Sequence, residues 1–337
     1  MATSKPKTVA FLGPAASYSH QVTKSAFPEP EWELKATTTI RDVFDVVQAG
    51  DATYGVVPFE NSTHGTVTFT LDCLADRSDT YTDIAVCSEI YLDVHHFLLG
   101  KIDPQASSSS SEPHATSEIQ ERPSKPLTSL AHIQRIYSHP QAFGQSGLFL
   151  QKYLKGVELI DVSSTSKAAA LAAADETGTS AAIAGEIAAS LVDGLDILAR
   201  NVEDRDDNTT RFFVIYRKGE EQQLPPLTTT RSGEEEGKYK SLVSFTVAHR
   251  TPGALADVLD CFKKLALNLT SINSLPSLIE PFQYLFFVEF EVGGIPGADV
   301  DADERLRNLE EMVRGVPAER WRFLGSWKDM SSKSPRM

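Results

Sequence analysis

The sequence predicts an α/β protein that ends in a smaller βαββαβ unit. Three observations predict it. Short β-rich runs alternate with amphipathic helices from Thr8 to about Lys218, a polar Pro-containing stretch follows, and the remaining segments read strand, helix, strand, strand, helix, strand. A length of 337 residues is too long for one typical domain and fits two.

The first element is TVAFLG, starting at Thr8 and broken by Gly13 and Pro14; Ser17, Tyr18 and Ser19 then lead into a helix over HQVTKSAF. In TTIRDVFDVVQAG the apolar positions Ile40, Val43, Phe44, Val46 and Val47 keep helical spacing, with Thr39 as cap and Gly50 at the end. The organising stretch runs from Val56 to Leu74. There an apolar run ends at Pro58, and a polar turn of Glu60, Asn61, Ser62, Thr63 and His64 passes through Gly65 into a helical segment. A loop of this kind lies at the carboxyl end of a strand, where ligands bind, and its helix start offers N–H groups to an anion. Asn, Ser and Thr are equally ordinary capping residues, so the loop alone reads either way.

SEIYLDVHHFLLG is expected to be a strand that crosses between subdomains. Its neighbours His95 and His96 face opposite sides of a strand, which favours a structural role over a metal site. From about 101 to 126, five consecutive serines, several prolines and almost no apolar residues predict a disordered insertion. βα units then resume. IQRIYSHPQAFGQSGLFLQKYL gives a strand, a polar loop at Ser138 and His139, and a helix with Pro140 first. Ser163 to Ser166 cap an alanine-rich helix, and SAAIAGEIAASLVDGLDIL adds another strand and helix. Asn208, Thr209, Thr210 and Arg211 precede an apolar strand from Phe212 to Tyr216.

The stretch from 219 to 238 is the candidate linker. Beyond it, GALADVLDCFKKLALN is amphipathic through Leu255, Val258, Leu259, Phe262 and Leu265. YLFFVEFEVG is apolar on alternate positions, so it is expected to bury one face and to leave a sheet edge for a partner.

A net charge of −14, with no interleaving of aromatic and basic residues, argues against nucleic-acid or anionic-membrane surfaces. Cys73, Cys87 and Cys261 are odd in number and far apart, giving neither a disulfide framework nor metal-ligand spacing. The start has no apolar core of signal-peptide length, and no later stretch approaches the roughly 18 apolar residues of a membrane span. A cytoplasmic protein is expected.

Four blocks, GPAASYS, PFENSTHGTVTFTLD, SHPQAFGQ and NTTRF, resemble in sequence and order those of the prephenate dehydratases. The resemblance implies a two-lobed, periplasmic-binding-protein-like catalytic domain over 7–218, the linker over 219–238, and a ferredoxin-like ACT regulatory domain over 239–330. It implies a carbon–oxygen lyase that turns prephenate into phenylpyruvate by losing carbon dioxide and water. No metal or other cofactor is implied, phenylalanine is the implied effector, and a homodimer or homotetramer is expected.

By the same resemblance Thr210 assists the departing hydroxide, with His139 as the competing acid. Asn61, Ser62, Thr63, Ser138, Gln141, Asn208 and Thr209 supply the substrate site. Arg211 either clamps a substrate carboxylate or pairs with a structural Asp or Glu. Glu60 orients neighbouring donors, because a carboxylate facing a dianion is unfavourable. Pro252, Gly253, Ala254 and Leu255 resemble the effector-binding turn. Asn273 and Ser274, followed by Leu275 and Pro276, stand where the family has Glu-Ser-Arg-Pro, so a weakened response is expected. Two rival readings are an arogenate dehydratase and a non-catalytic module that binds a small carboxylate and senses an amino acid.

Overall fold

Two sheets are built by one chain that passes between them twice. A computed structural model describes residues 7–103, 123–219, 239–248, 250–292 and 302–331. Of the expected disordered insertion over about 101–126, residues 104–122 lie outside the described residues, and of the expected linker over 219–238, residues 220–238 do.

The first pass lays down β1 (Lys7–Leu12), α1 (Tyr18–Ala26), β2 (Trp32–Thr37), α2 (Ile40–Gln48), β3 (Tyr54–Asn61), the short β4 (Gly65–Thr66), α3 (Thr68–Ala75) and β5 (Ile84–Asp93). The chain then crosses to the second sheet. There it forms β6 (Phe97–Gly100), β7 (Arg135–Ser138), α4 (Pro140–Gly144), α5 (Gly147–Tyr153), β8 (Glu158–Asp161), α6 (Thr165–Ala174), β9 (Ser180–Ala184), α7 (Glu186–Leu191) and β10 (Asp196–Ala199), in the order β10-β6-β9-β7-β8. It returns as β11 (Thr209–Arg217), which inserts antiparallel between β5 and β3. The first lobe therefore reads β5-β11-β3-β1-β2.

The two crossings lie side by side. Val94 N donates to Asn208 O at 2.7 Å and Val202 N donates to His96 O at 2.9 Å.

Local chemistry explains the helix starts. Thr39 and Asp42 form a reciprocal capping box at α2, and its stripe Ile40, Val43, Phe44 and Val47 is buried. Ser17 caps α1 by accepting from His20 N, Ser164 caps α6 by accepting from Lys167 N, and Pro140 occupies the first turn of α4.

The C-terminal unit comprises β12 (Tyr239–Val247), α8 (Ala254–Lys264), β13 (Asn268–Pro276), β14 (Tyr284–Val292), α9 (Ala302–Arg314) and β15 (Ala318–Lys328), with sheet order β13-β14-β12-β15. This is the βαββαβ arrangement. The expectation for YLFFVEFEVG is overturned, because β14 lies between β12 and β13 and is buried on both faces. Phe290 and Val292 join the core under α8 and α9, while Leu285 and Phe287 join the core of the first lobe. The free edge is β13.

One core cluster unites Val57, Phe59 and Phe213 of the first lobe with Leu242, Leu324 and Trp327 of the C-terminal unit. The reason is that helices cover only one face of the C-terminal sheet; its other apolar face needs the first lobe. The strands of the C-terminal unit also continue the sheet of the first lobe, through a parallel bridge of Gly325 to Val86 between β15 and β5. Gly325 has φ 136°, and a Cβ there would stand 2.1 Å from Val86 O.

Gly325→Ala is therefore expected to cost about 3 kcal/mol of unfolding free energy, at the upper end of common substitutions. Urea unfolding of the full chain checks this; an unchanged midpoint would mean that the bridge yields freely.

Candidate active site

The β3–β11 ladder sets the centre of the site. Its register places Thr210 opposite Asn61 and Arg211 opposite Glu60, so successive residues of β11 look to opposite faces. On one face Asn61 Nδ2 donates to Asn208 Oδ1 at 2.8 Å and to Thr210 Oγ1 at 2.9 Å. Its Oδ1 accepts the backbone N–H groups of Thr63 and His64, which fixes the direction of the amide. Because Thr210 Oγ1 accepts from Asn61, its own proton remains available to donate.

A cavity of about 260 Å³ opens here between the lobes. Its walls include Asn61, Asn208 and Thr210 from the ladder region, and His139 and Gln141 at the start of α4. Ser163, Ser164 and Thr165 bring the N-terminal end of α6, whose dipole favours an anion. His139 Nδ1 accepts from Gln141 N at 3.2 Å, so the neutral ring carries its proton on Nε2. A larger cleft of about 770 Å³, lined by Leu12, Ile40, Phe69, Cys73 and Tyr81 among others, holds none of the predicted site residues.

Five predicted residues thus meet at the cavity: Asn61, His139, Gln141, Asn208 and Thr210. Five others, Arg211 among them, are placed outside its lining. Ser138 is fully buried and donates to Ile183 O at 2.7 Å, while Thr209 Oγ1 donates to Asp93 at 2.6 Å. Ser62 donates to Asp207 O and accepts from Thr209 N, tying the organising loop to the returning strand. Thr63 donates to Asn61 Oδ1 and so acts through that amide.

Of the two readings of Arg211, the structure shows the pairing with carboxylates. The alternation of β11 turns it away from the cavity and towards the C-terminal unit, where one guanidinium nitrogen lies 2.5 Å from Glu89 Oε2 and 2.5 Å from Glu289 Oε2. Arg211 is 6% exposed, with Phe59, Phe213 and Tyr91 around its guanidinium. Burial works against its charge, but Glu89 and Glu289 outweigh that effect and raise its pKa. It is the partner of buried carboxylates and lies outside the lining of the cavity.

Among the cavity residues that the sequence did not single out for the site are Tyr18, His96 and Gln145. Tyr18 and Gln145 lie inside the blocks GPAASYS and SHPQAFGQ, which was the available signal; His96 sits on the crossing segment, where strand alternation no longer predicts direction. Burial lowers the pKa of His96, and burial together with the charge of Glu203 raises that of Tyr18, so both are neutral near pH 7. Among the described residues no group of three metal-ligating side chains converges, and no helix is long and apolar enough to cross a membrane.

A family model described as prephenate dehydratase matches residues 9–220. The chain belongs to the prephenate dehydratase family. It is 34% identical over 291 residues to a bifunctional chorismate mutase/prephenate dehydratase of Aquifex aeolicus, covering 86% of this chain and 67% of that one. It is 30% identical over 283 residues to the prephenate dehydratase of Lactococcus lactis subsp. cremoris, covering 84% and 86%. The solved prephenate dehydratase of Arthrobacter aurescens, in complex with L-Phe, superposes with a TM-score of 0.72 at 26% identity, covering 98% of this chain and 92% of that one. In this member of the prephenate dehydratase family, then, the cavity lies within the region that the family model matches.

Replacing Arg211 by Met would leave Glu89 and Glu289 buried without their shared cation. Loss of about 3–5 kcal/mol of stability is expected. Unfolding and kinetics measured together decide the role: a variant of wild-type stability whose KM for prephenate rises tenfold would return Arg211 to the substrate.

Proposed function

We propose that the chain is a lyase that converts prephenate to phenylpyruvate in the cleft between its lobes, under control by phenylalanine at the C-terminal unit. The observation that carries the reaction is the Asn61–Thr210 pair. Prephenate must lose a ring hydroxyl and a carboxylate while its ring becomes aromatic. Hydroxide is a poor leaving group, so a donor aimed at the departing oxygen lowers the barrier. Thr210 is too weak an acid to surrender a proton outright near neutral pH, but its hydroxyl, oriented by Asn61, can donate a hydrogen bond as charge develops. His139 offers a second N–H from Nε2. The start of α6 and the amide of Gln141 supply neutral donors for the substrate carboxylates, a role for which Arg211 is out of reach.

Regulation is supported by the free edge of β13, which carries Asn273 and an exposed Ser274. Its unpaired backbone groups suit pairing with the same strand of a second copy. Gly253, in the left-handed region at φ 85°, follows Pro252 and immediately precedes α8. Asn273 is already engaged, since it accepts from Thr66 Oγ1 at 2.8 Å and donates to Ser271 Oγ at 3.0 Å. Phenylalanine would have to compete for it or bind beside it, consistent with a response weaker than usual for the family.

Thr210→Ala is expected to lower kcat by on the order of 100-fold with little change in KM. Wild-type turnover by this variant, followed through phenylpyruvate absorbance in alkali, would remove Thr210 from the reaction. The full chain is expected to be at least dimeric and to slow in millimolar phenylalanine. Light scattering and activity titration test both; a monomer, or an unchanged rate with no detectable binding, would end the regulatory reading.

A further inference from the structure

Three polar side chains form a chain along the cavity wall, and none of them has a role in the steps above. Tyr18 comes from α1 in the first lobe, His96 from the crossing segment, and Gln145 from the end of α4 in the second lobe. Tyr18 Oη lies 3.0 Å from His95 O and 2.7 Å from His96 Nδ1, and His96 Nε2 lies 2.7 Å from the Gln145 amide. His96 is 2% exposed, and its backbone N–H donates to Glu203 at 2.8 Å, so the ring is held in place.

Counting protons sets the direction of this chain. A phenol has one, a neutral imidazole one and an amide two. With the Gln145 oxygen towards His96, the ring proton sits on Nε2 and Tyr18 must give its proton to Nδ1. His95 O then receives nothing from Tyr18, and the buried Gln145 nitrogen has no partner. Turning the amide over gives that nitrogen a partner. Gln145 Nε2 donates to His96 Nε2, the ring proton moves to Nδ1 and points at Tyr18 Oη, and Tyr18 donates to His95 O. Amide direction is assigned by such networks, and this one leaves a single carbonyl oxygen unmatched in place of a buried amide nitrogen.

In either arrangement the only proton of Tyr18 is spent on the protein. Towards the cavity its oxygen is an acceptor. At neutral pH prephenate carries two carboxylates, a ketone and one hydroxyl, so its only donor is the hydroxyl that it loses. We propose that Tyr18 is a substrate-binding residue whose oxygen accepts the hydrogen of that hydroxyl, with His96, protonated on Nδ1, and Gln145 as the residues that position it. This rests on the dehydratase reading and adds to it the group that recognises the leaving hydroxyl. Tyr18 and Thr210 then divide the hydroxyl between them: Tyr18 receives its hydrogen, and Thr210 donates to its oxygen. As the carbon–oxygen bond breaks, the departing oxygen gains negative charge and its hydrogen becomes a poorer donor. The Tyr18 contact is therefore strongest in the ground state and the Thr210 contact strongest in the transition state.

Kinetics on the full chain separate these roles. Tyr18→Phe is expected to raise KM for prephenate roughly tenfold with kcat within about threefold of wild type. Inhibition by phenylpyruvate, which lacks the ring hydroxyl, should be unchanged. His96→Asn, whose amide can present an N–H near the position of Nδ1, should stay closer to the wild-type KM than His96→Leu. A proton-detected nitrogen correlation spectrum of the His96 ring should place its proton on Nδ1. A fall in kcat at constant KM would show that Tyr18 serves the departing group instead, and equal weakening of prephenate and phenylpyruvate would reduce it to shaping the pocket. A proton found on Nε2 would overturn the positioning role of His96. If the wild-type chain does not turn over prephenate, the dehydratase reading itself fails and takes this inference with it.

Discussion

Four charges buried at one seam hold the catalytic ladder in place. Glu89 on β5, Arg211 on β11, Lys240 on β12 and Glu289 on β14 are each between 0% and 6% exposed. Arg211 meets both carboxylates, while Lys240 reaches Glu89 at 3.2 Å and Asp329 at 3.0 Å. Taking such groups from water is costly, and only their mutual attraction and hydrogen bonds offset it, so each member depends on the others. Tyr91 and the backbone N–H of Met330 complete the coordination of Glu89. Because Arg211 is fixed on one face of β11, Thr210 is fixed on the other. The position of the candidate donor is thus set by charges that never face the cavity.

The same seam makes the C-terminal unit part of the catalytic framework. Thr270 on the edge strand β13 donates to Glu289, Thr66 beyond the organising loop donates to Asn273, and Arg77 Nε donates to Pro276 O. A ligand that prefers one arrangement of β13 must therefore act on Glu289 and on the loop that carries Asn61. By reciprocity, a ligand in the cleft that prefers one arrangement of that loop would act on β13 to the same extent.

Much of this was legible in the sequence, and what was not has identifiable causes. Helical spacing and caps located α2 and α6, since Thr39 and Ser164 act within a single turn. Asn61 and Thr210 stood out only through the family resemblance of PFENSTHGTVTFTLD and NTTRF, because taken alone both stretches read equally well as polar turns. Ser138 and Thr209 look the same in one dimension, and only their bonds to Ile183 O and Asp93 distinguish structural hydroxyls from site hydroxyls. Arg211 was left undecided, because its partners lie far away in sequence on β5 and β14. His96 escaped altogether, since its direction is set where the chain leaves one sheet and enters the other. The continuation of the first lobe's sheet into the C-terminal unit at Gly325 was equally hidden, since a single glycine bridge leaves no periodic pattern.

The paired crossings between the lobes carry a mechanical consequence. A single connecting strand would let one lobe swing and twist about the other, whereas two strands side by side, bonded from Val94 to Asn208 and from Val202 to His96, behave as a ribbon. A ribbon bends easily across its face and resists rotation about its length. Any movement of one lobe against the other would thereby be confined mainly to bending of this ribbon. Asn208 and His96 belong both to this ribbon and to the cavity wall, so bending of the ribbon would change the shape of the cavity directly.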